Sequence, residues 1–559
     1  MSTLTAGLLQ VGVLVLLLAA VYVPFGDHMA RVFTSPGHWR VERGIYRLVR
    51  VDPDAEQRWT TYGAGVLGLS FVSVLVLYLL QRLQPLLPLD FGRGVGGGIG
   101  VPPSMAFNTA VSFVTNTDWQ SYVPETTLGH TVQMAGLTVQ NFLSAAVGMA
   151  VAAALVRGFV RAGTDRLGNV WVDVTRACVR VLLPLSFVAA VALVALGAAM
   201  SLHPGVDVTG LDGQSHTIAL APVASQEAIK ELGTNGGGIL NANSAHPFEN
   251  PNGGSDLLEI FLLLVIPVCL TRSFGVMVGN VRQGTVLVAV MGALWGGLLT
   301  VAWWAESHPN GPAALLAGGR ALEGKETRFG DPSSVLFAVS TTGTSTGAVN
   351  AAHDSLTGLG GGVTLLNMLF GEVAPGGVGT GLYGILVVAV ISVFLAGLMV
   401  GRTPEYLGKK LGRREVTASA ISILVMPTLV LLLGGLAIAL PATGPAMGNG
   451  GPHGFSEVLY AYASAANNNG SAFAGITVTS DFFQSTLALA MLFGRFVPIL
   501  ATLALAGSLA GQRRVAPGAG TLPTDGPLFG VLVAGTVVIV AALTFFPALG
   551  LGPIAEALT

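Results

Sequence analysis

The stretch Thr234-Asn235-Gly236-Gly237-Gly238 is a short polar tract that lies between two long apolar runs. Three further tracts have the same character, and they are Thr115-Asn116-Thr117-Asp118, Thr344-Ser345-Thr346-Gly347-Ala348 and Asn467-Asn468-Asn469-Gly470-Ser471. We number the four tracts 1 to 4 in chain order, so that the quoted stretch is tract 2. The spacings between matching positions are 120, 111 and 123 residues, counted along Asn116, Gly236, Gly347 and Gly470. This recurrence predicts a fourfold internal repeat.

A short helix-like piece precedes each tract, and each piece begins with a serine that can cap a helix N-terminus. The four pieces are Ser104–Val114, Ser225–Leu232, Ser333–Val339 and Ser456–Ala463. The predicted repeat is therefore helix, short helix, polar tract, helix, with one extra helix at each end of the chain. The boundaries are 1–58 for the N-terminal helix and loop, 59–176, 177–282, 283–415 and 416–514 for the four repeats, and 515–559 for the C-terminal helix.

The composition indicates a protein of the lipid bilayer. Of the 559 residues, 52% are hydrophobic and 10% are charged, whereas about 25% are charged in an ordinary soluble domain. Ten runs are long and apolar enough to span a bilayer, near 7–25, 62–80, 131–156, 178–200, 257–278, 285–304, 364–400, 416–440, 482–509 and 528–549. We therefore predict an all-α polytopic membrane protein with ten transmembrane helices and four re-entrant loops around one central pore.

Charge and cysteine content narrow the function further. The formal net charge of −2 argues against a nucleic-acid partner, because phosphate-binding domains carry a basic excess. The two cysteines, Cys178 and Cys269, form no metal-ligand pattern. Twenty of the 27 Lys and Arg residues lie in loops that follow odd-numbered helices. Because basic residues collect in cytoplasmic loops, we expect the tracts and both termini to face outside.

The seventh apolar run is too long for one straight helix, and its middle reads Gly371-Glu372-Val-Ala-Pro375-Gly-Gly-Val-Gly-Thr-Gly381. Proline and clustered glycines predict a break inside the membrane, which is permitted where the freed backbone lines a cavity or is covered by protein. Broken helices mark the substrate path of many transporters. Glu372, Gly376 and Gly377 are therefore candidates for gating, and a capping role for Glu372 is the alternative.

The tracts suit the binding of a dehydrated cation. A ring of backbone carbonyls from several re-entrant loops can replace the ion's water ligands without burying net charge. Glycine lets the backbone turn its carbonyls inward, while Thr, Ser and Asn hold the outer shell by hydrogen bonding. An ordinary extracellular loop is the alternative for any single tract, and a pocket for an organic solute is the alternative for all four.

Two arginines near the predicted pore are further candidates. Arg495 lies midway through the ninth helix, where a buried charge is costly unless it is paired or hydrated. It either lies below the tracts and repels the ion, or forms an ion pair with a carboxylate such as Glu372. Arg402 follows the seventh helix, and it is either one more cytoplasmic basic residue or a contact to a partner.

ATP chemistry has no recognisable site in this chain. Gly379-Thr-Gly381-Leu-Tyr-Gly384 matches GxGxxG, but no strand precedes it and it lies in the broken helix. No Asp-Lys-Thr-Gly stretch is present, so the chain is not expected to be a phosphorylated pump by itself. We predict a protein that is not an enzyme and that carries no ATP.

Several segments closely resemble the A chain of bacterial potassium-transporting ATPases, the KdpA family of the superfamily of potassium transporters. They are Phe107-Asn-Thr-Ala-Val-Ser-Phe-Val-Thr-Asn-Thr-Asp-Trp-Gln-Ser-Tyr122, Glu231-Leu-Gly-Thr-Asn-Gly-Gly-Gly238, Asn241-Ala-Asn-Ser-Ala-His-Pro-Phe-Glu-Asn-Pro251 and Gly401-Arg-Thr-Pro-Glu-Tyr-Leu-Gly-Lys-Lys410. The resemblance covers nearly the whole chain. It implies a potassium-binding and translocating subunit of the bacterial inner membrane, with three partners: a P-type ATPase subunit, KdpB, and the small subunits KdpC and KdpF.

In that family the four tracts form the selectivity filter. The resemblance places it here on Thr115, Asn116, Thr117, Asp118, Gln120, Thr234, Asn235, Gly236, Gly237, Ser345, Thr346, Gly347, Ala348, Asn467, Asn468, Asn469 and Gly470. Two positions depart from the family pattern, because Asp118 stands where Asn is common and Thr346 where some members carry Cys. The alternative function is a stand-alone potassium channel or symporter of the Trk/Ktr type, which would share the fourfold pore.

Overall fold

The computed structural model describes residues 3–98, 100–309, 321–516, 518 and 520–558, so residues 310–320 of the third predicted repeat lie outside the described part. Its helices are, in chain order, α1 (Thr3–Thr34), α2 (Arg40–Leu48), α3 (Trp59–Arg82), α4 (Pro103–Val114), α5 (Pro124–Thr127), α6 (Val132–Val160), α7 (Val170–Leu196), α8 (Val223–Leu232), α9 (Gly253–Met277), α10 (Val281–Ser307), α11 (Gly330–Gly343), α12 (Gly358–Leu369), α13 (Thr380–Val400), α14 (Arg413–Ala439), α15 (Gly451–Asn467), α16 (Asp481–Gly511), α17 (Pro527–Leu551) and α18 (Pro553–Leu558).

Ten helices of the described residues are long and apolar enough to cross a membrane, and they are α1, α3, α6, α7, α9, α10, α13, α14, α16 and α17. This number confirms the prediction from the apolar runs. Large apolar side chains on these helices point outward, for example Leu16, Phe71, Leu432 and Leu543. Lipid tails cover such a surface favourably, whereas water would not.

The seventh apolar run is broken as predicted. It forms α12 and α13, and the irregular segment 370–379 connects the two helices. Helix α6 is the most enclosed of the described spanning helices, since 83% of an 18-residue apolar stretch of it is buried. Small residues permit close packing around it, since a Cβ at Gly158 would lie 2.8 Å from the Cα of Ala506 on α16.

Three antiparallel strand pairs lie in the connections: β1 (Gln57–Arg58) with β2 (Arg166–Gly168), β3 (Gly205–Thr209) with β4 (Ser215–Ala219), and β5 (Glu405–Tyr406) with β6 (Lys409–Lys410). In the longest pair, Gly205 faces Ala219 and Thr209 faces Ser215. These pairs were not among the predicted elements. They satisfy the backbone groups of connections that leave the bilayer.

Buried ion pairs join the helices at the end of the bundle that lies away from the tracts. Arg157 at the end of α6 makes two hydrogen bonds with Asp173 of α7, at 2.6 and 2.7 Å. Arg180 of α7 donates to Glu42 of α2 at 2.6 Å. Breaking such a pair leaves an uncompensated buried charge, so these contacts hold the first loops against the bundle.

The C-terminal helix α18 is held at the other end by a histidine between two carboxylates. Nδ1 of His453 on α15 lies 2.9 Å from Glu556, and Nε2 lies 3.2 Å from Asp354. The hydrogen bonds to Asp354 and then Glu556 outweigh partial burial and raise the pKa of His453 to about 10. The imidazole is therefore positively charged at neutral pH.

The prediction that serines cap the four short helices is wrong. Helices α4, α8, α11 and α15 begin at Pro103, Val223, Gly330 and Gly451, upstream of each serine, and none has a side-chain cap. The hydroxyl of Ser225 donates to Pro222 at 3.0 Å, and that of Ser456 donates to Pro452 at 2.9 Å. Each serine thus lies inside its helix, within the first two turns, and the hydroxyls of Ser225 and Ser456 bond to a carbonyl of their own helix or its N-cap.

Candidate functional site

The four polar tracts begin where the four short helices end. Helices α4, α8, α11 and α15 end at Val114, Leu232, Gly343 and Asn467. A residue one or two positions beyond each end adopts left-handed backbone geometry, with φ of 67° at Asn116, 47° at Thr234, 53° at Ser345 and 59° at Asn468. A left-handed residue at this position is a common way to terminate a helix.

The next residue in each tract donates its amide to the carbonyl five residues back. These bonds join Thr117 to Ser112 at 2.9 Å, Asn235 to Lys230 at 2.9 Å, Thr346 to Thr341 at 3.1 Å and Asn469 to Ser464 at 2.9 Å. The same helix termination is therefore built four times, with four different sequences.

This shared geometry corrects the alignment of tract 1. The left-handed residues pair Asn116 with Thr234, Ser345 and Asn468, at spacings of 118, 111 and 123 residues. Gly236, Gly347 and Gly470 therefore correspond to Asp118, and the match of Asn116 with Gly236 was wrong by two residues. The error arose because glycine marks this position in three tracts but not in tract 1.

The tracts close into a ring in chain order, with hydrogen bonds at three junctions and a close backbone approach of Gly347 to Gly470 at the junction of tracts 3 and 4. The side-chain amide of Asn116 donates to the Thr234 carbonyl at 2.6 Å, which joins tracts 1 and 2. The backbone amide of Gly347 donates to the Asn235 carbonyl at 2.7 Å, which joins tracts 2 and 3. The Asn468 amide donates to Thr117 Oγ1 at 3.0 Å, which joins tracts 4 and 1.

Glycines make the closest approaches in the ring possible. A Cβ at Gly236 would lie 2.5 Å from the Cα of Gly347, and a Cβ at Gly347 would lie 2.8 Å from the carbonyl carbon of Gly470. A Cβ at Gly470 would overlap the carbonyl oxygen of Thr117. Non-bonded carbon atoms prefer about 3.5–4.0 Å, so a side chain at any of these positions would push neighbouring tracts apart.

The position shared by Asp118, Gly236, Gly347 and Gly470 has a further property. The backbone carbonyls of all four residues accept no hydrogen bond from the described residues. In tracts 2 and 3 the preceding carbonyls are paired, since those of Thr234 and Asn235 bind other tracts and that of Thr346 accepts from Thr341 at 2.7 Å. In tracts 1 and 4 the preceding carbonyls, of Thr117 and Asn469, also accept no hydrogen bond from the described residues. Buried carbonyls are nearly always paired, so four unpaired ones at equivalent positions constitute a ready set of oxygen ligands.

The polar side chains of the tracts bind the surrounding helices. Ser144 of α6 donates to the Asn116 side chain at 2.8 Å, and the Asn235 amide donates to the same oxygen at 3.0 Å. The Thr344 and Thr346 hydroxyls bind each other at 2.9 Å. These hydroxyl and amide groups therefore bind protein groups around the ring.

Asp118 and Gln120 also face protein groups. The Asp118 carboxylate is buried and accepts from the side chain of Asn141 on α6 at 3.3 Å. Gln120, half-buried, accepts from the backbone amide of Gly238 at 2.9 Å. Gln120 thus supports tract 2 from tract 1. The Gly237 carbonyl is occupied as well, by the side chain of Asn243.

The broken helix lies directly against tracts 2, 3 and 4. The Glu372 side chain is buried and accepts from Asn469 at 2.9 Å, while its other oxygen accepts no hydrogen bond from the described residues. The Gly376 amide donates to the Gly343 carbonyl at 2.6 Å, and a Cβ at Gly377 would lie 2.9 Å from the Thr344 carbonyl. Movement of this segment would therefore displace the residues of tracts 3 and 4 that it contacts.

A cavity of about 130 Å³ adjoins the broken helix, and Ser345, Glu372, Asn467, Asn468 and Arg495 contribute to its lining. The Arg495 side chain is buried and donates to the Ser144 carbonyl at 3.1 Å. Among the described residues it is in no ion pair, so the alternative of an Arg495–Glu372 pair is wrong. The two side chains line the same cavity instead. Asn467 takes part there, not in the ring, because it is the last residue of α15.

Arg402 lies apart from this site, because its exposed side chain donates to the Thr521 carbonyl at 3.4 Å and its backbone amide donates to Gly397 at 2.8 Å. Three residues that hydrogen-bond to the tracts from α6 and α11 were not identified from sequence, namely Asn141, Ser144 and Thr341. The sequence could have identified them, because polar side chains inside an apolar helical run are costly in lipid and usually face a functional interior.

Comparison with known proteins decides the family. A family model described as "Potassium-transporting ATPase A subunit", KdpA, matches residues 12–558. The chain belongs to the KdpA family. A KdpA-family relative from Rhodococcus erythropolis, named potassium-transporting ATPase potassium-binding subunit, is 63% identical over 566 residues and covers 100% of both chains. A relative of the same name from Rhodococcus opacus is 64% identical over 563 residues and covers 99% of both.

A solved structure supports the fold of this KdpA-family chain. The potassium transporter TrkH from Vibrio parahaemolyticus is similar with a TM-score of 0.50 and 15% identity, over 77% of this chain and 83% of that one. At this identity the likeness concerns the fold alone. It agrees with a helical membrane protein built from four pseudo-repeats.

Proposed function

We propose that this KdpA-family chain binds potassium from outside through a selectivity filter formed by tracts 1 to 4, and passes it inward as a subunit of an ATP-driven uptake complex. The observation that carries the proposal is the set of four unpaired carbonyls at Asp118, Gly236, Gly347 and Gly470. The name potassium-binding subunit, which the Rhodococcus relatives bear, supports the choice of ion.

The ring suits a large, weakly hydrated cation. Four carbonyl oxygens replace water ligands without adding net charge to the membrane interior. The C-terminal ends of α4, α8, α11 and α15 meet the tracts, and each contributes partial negative charge worth about 0.3–1 kcal/mol at exposed sites. Anions are disfavoured by the same dipoles.

The cavity lined by Glu372 and Arg495 receives the ion after it leaves the ring. The positive charge of Arg495 raises the cost for a cation that leaves the ring, so it restrains free permeation. Gly376 and Gly377, packed against α11 and tract 3, allow the broken helix to move. We assign gating or coupling to Glu372, Gly376, Gly377 and Arg495.

Uphill transport requires a second chain. We propose that ATP is hydrolysed by a P-type ATPase partner, KdpB, in a complex with KdpC and KdpF, and that this chain carries no ATP. The complex lies in the bacterial inner membrane, with both termini of this chain outside, because the basic loops face the cytoplasm. The exposed Arg402 is a candidate contact to a partner.

Growth of an uptake-deficient bacterium at limiting potassium tests the proposal. We expect rescue when this chain is expressed with its ATPase and small subunits, no rescue by the chain alone, and loss of rescue with Gly236→Asp. Rescue by the chain alone would instead mean a stand-alone Trk/Ktr-like channel or symporter. Unimpaired rescue by Gly236→Asp, at equal abundance in the membrane, would contradict the filter.

A further inference from the structure

A second group of charged side chains lies behind tract 2. Helix α8 carries Glu227, Lys230 and Glu231, and Glu249 and Glu259 approach them from the following loop and from α9. All five are at most 2% exposed. Four carboxylates and one ammonium group give a formal charge of −3 in a dry region, which is very costly unless another positive charge compensates it.

Lys230 satisfies only one side of this cluster. Its Nζ lies 2.6 Å from Glu227 and 3.1 Å from Glu249, and it also donates to Asn243 at 3.0 Å. It also donates to Ser244 at 3.2 Å. An ammonium group has three protons, so these contacts use all of them. The nearest oxygen of Glu231 lies farther away, at 3.5 Å.

Three oxygens on the other side remain without a donor. Glu231 Oε2 and both carboxylate oxygens of Glu259 accept no hydrogen bond from the described residues. One oxygen from each of Glu227, Glu231 and Glu259 lies within 4.8 Å of the others. Glu227 accepts from Lys230 and, at 2.8 Å, from Ser244, so the oxygens without donors belong to Glu231 and Glu259. Buried carboxylate oxygens without donors are suited to a metal ion.

We propose that Glu227, Glu231 and Glu259 bind a divalent cation of calcium size, separate from the transported potassium. Calcium binds carboxylate oxygens at about 2.3–2.6 Å in flexible geometry, so oxygens across the ion are about 4.6–5.2 Å apart. Magnesium requires about 2.0–2.1 Å and near-ideal octahedral geometry, and it usually keeps several waters, which a buried group of three glutamates does not provide. A divalent ion reduces the formal charge of the cluster to −1.

The ion would stabilise the start of tract 2. The Glu231 carbonyl accepts the Thr234 amide at 3.2 Å, and the Lys230 carbonyl accepts the Asn235 amide at 2.9 Å. Asn243 links Lys230 to the Gly237 carbonyl. The bound cation therefore fixes the end of α8 on which the ring rests, whatever ion the ring itself selects.

Metal analysis of the purified full chain tests the site without any transport assay. After isolation in calcium-containing buffer and removal of free metal, we expect about one calcium ion per chain, and at least a tenfold lower content in Glu259→Gln. Glu415→Gln is the matched control, because Glu415 is also buried but lies on α14 and accepts from Gln512 at 2.8 Å. It is expected to retain the ion.

Thermal unfolding provides a second measurement on the wild-type chain, so the test survives if a variant fails to accumulate. Chelation is expected to lower the melting temperature, and calcium to restore it better than magnesium. Absence of bound metal together with an unchanged melting temperature would overturn the proposal in favour of protonated carboxyls. Equal calcium content in Glu259→Gln, or equal restoration by magnesium, would overturn it as well.

Discussion

Replacing Gly236 by alanine is expected to separate tracts 2 and 3. The added Cβ would lie 2.5 Å from the Cα and 2.6 Å from the amide nitrogen of Gly347. Non-bonded contacts prefer about 3.5–4.0 Å, so one backbone must retreat by about 1 Å. Both neighbours are backbone atoms, and no side-chain rotation can relieve the contact. Gly236 and Gly347 also carry two of the four unpaired carbonyls.

A displacement of this size exceeds the tolerance of a binding site, which is about 0.5 Å. We expect the affinity for potassium to fall about tenfold or more, which corresponds to about 1.4 kcal/mol. Discrimination against sodium is expected to fall as well, since a widened ring fits the larger ion less closely. The change acts on the ring, so abundance in the membrane is expected to stay near that of the wild type.

The assay is potassium uptake at graded concentrations, with and without competing sodium, in cells that express the chain with its partners. Gly292→Ala is the matched control, because a Cβ at Gly292 on α10 meets nothing within 4 Å. Alanine in a helix is favoured over glycine by about 0.5–1 kcal/mol, so the control keeps its affinity. If Gly236→Ala transports with wild-type affinity and selectivity at equal abundance, the filter assignment is wrong.

Three further changes test other parts of the structure. Arg495→Gln removes the positive charge from the cavity, and we expect faster potassium leak in proteoliposomes without ATP; unchanged leak would contradict its role as a restraint. Asp173→Asn leaves Arg157 buried without its partner and is expected to cost about 3–5 kcal/mol of stability, seen as a lower melting temperature with unchanged potassium affinity; an unchanged melting temperature would refute it. Hydrogen bonds to Asp354 and Glu556 raise the pKa of His453 from 6.5 to about 10. The charged histidine therefore stabilises the folded chain fully below about pH 6.5, and this stabilisation is lost as the pH rises to about 10. The melting temperature of the wild type is therefore expected to fall more steeply over that range than that of His453→Gln, and parallel curves would exclude the charged histidine.

Much of the architecture is readable from local sequence. The length of an apolar run determines whether it can cross a bilayer, and all ten runs appear as spanning helices. The proline and glycines of the seventh run predicted the break between α12 and α13 for the same local reason. The four tracts were recognisable because polar residues are rare in such surroundings.

Other features depend on backbone geometry that residue identity does not reveal. Asp118 takes the place that glycine holds in the other three tracts, because a left-handed residue two positions earlier sets the register. The serines of the short helices were assigned as caps, whereas the helices begin upstream of them. Which residue caps a helix depends on which backbone amides remain free, and this is known only once the first residue of the helix is known.

Sequence alone determined that this chain is a helical membrane protein with four equivalent polar tracts, because hydrophobic length and composition act over neighbouring residues. Tertiary structure alone decided which carbonyls remain unpaired, that Arg495 faces a cavity rather than Glu372, and that five charged side chains meet behind tract 2. Each of these depends on contacts between segments that are distant in the chain. Their free energy depends on burial and hydrogen-bond geometry, which exist only after the repeats have packed around a common centre.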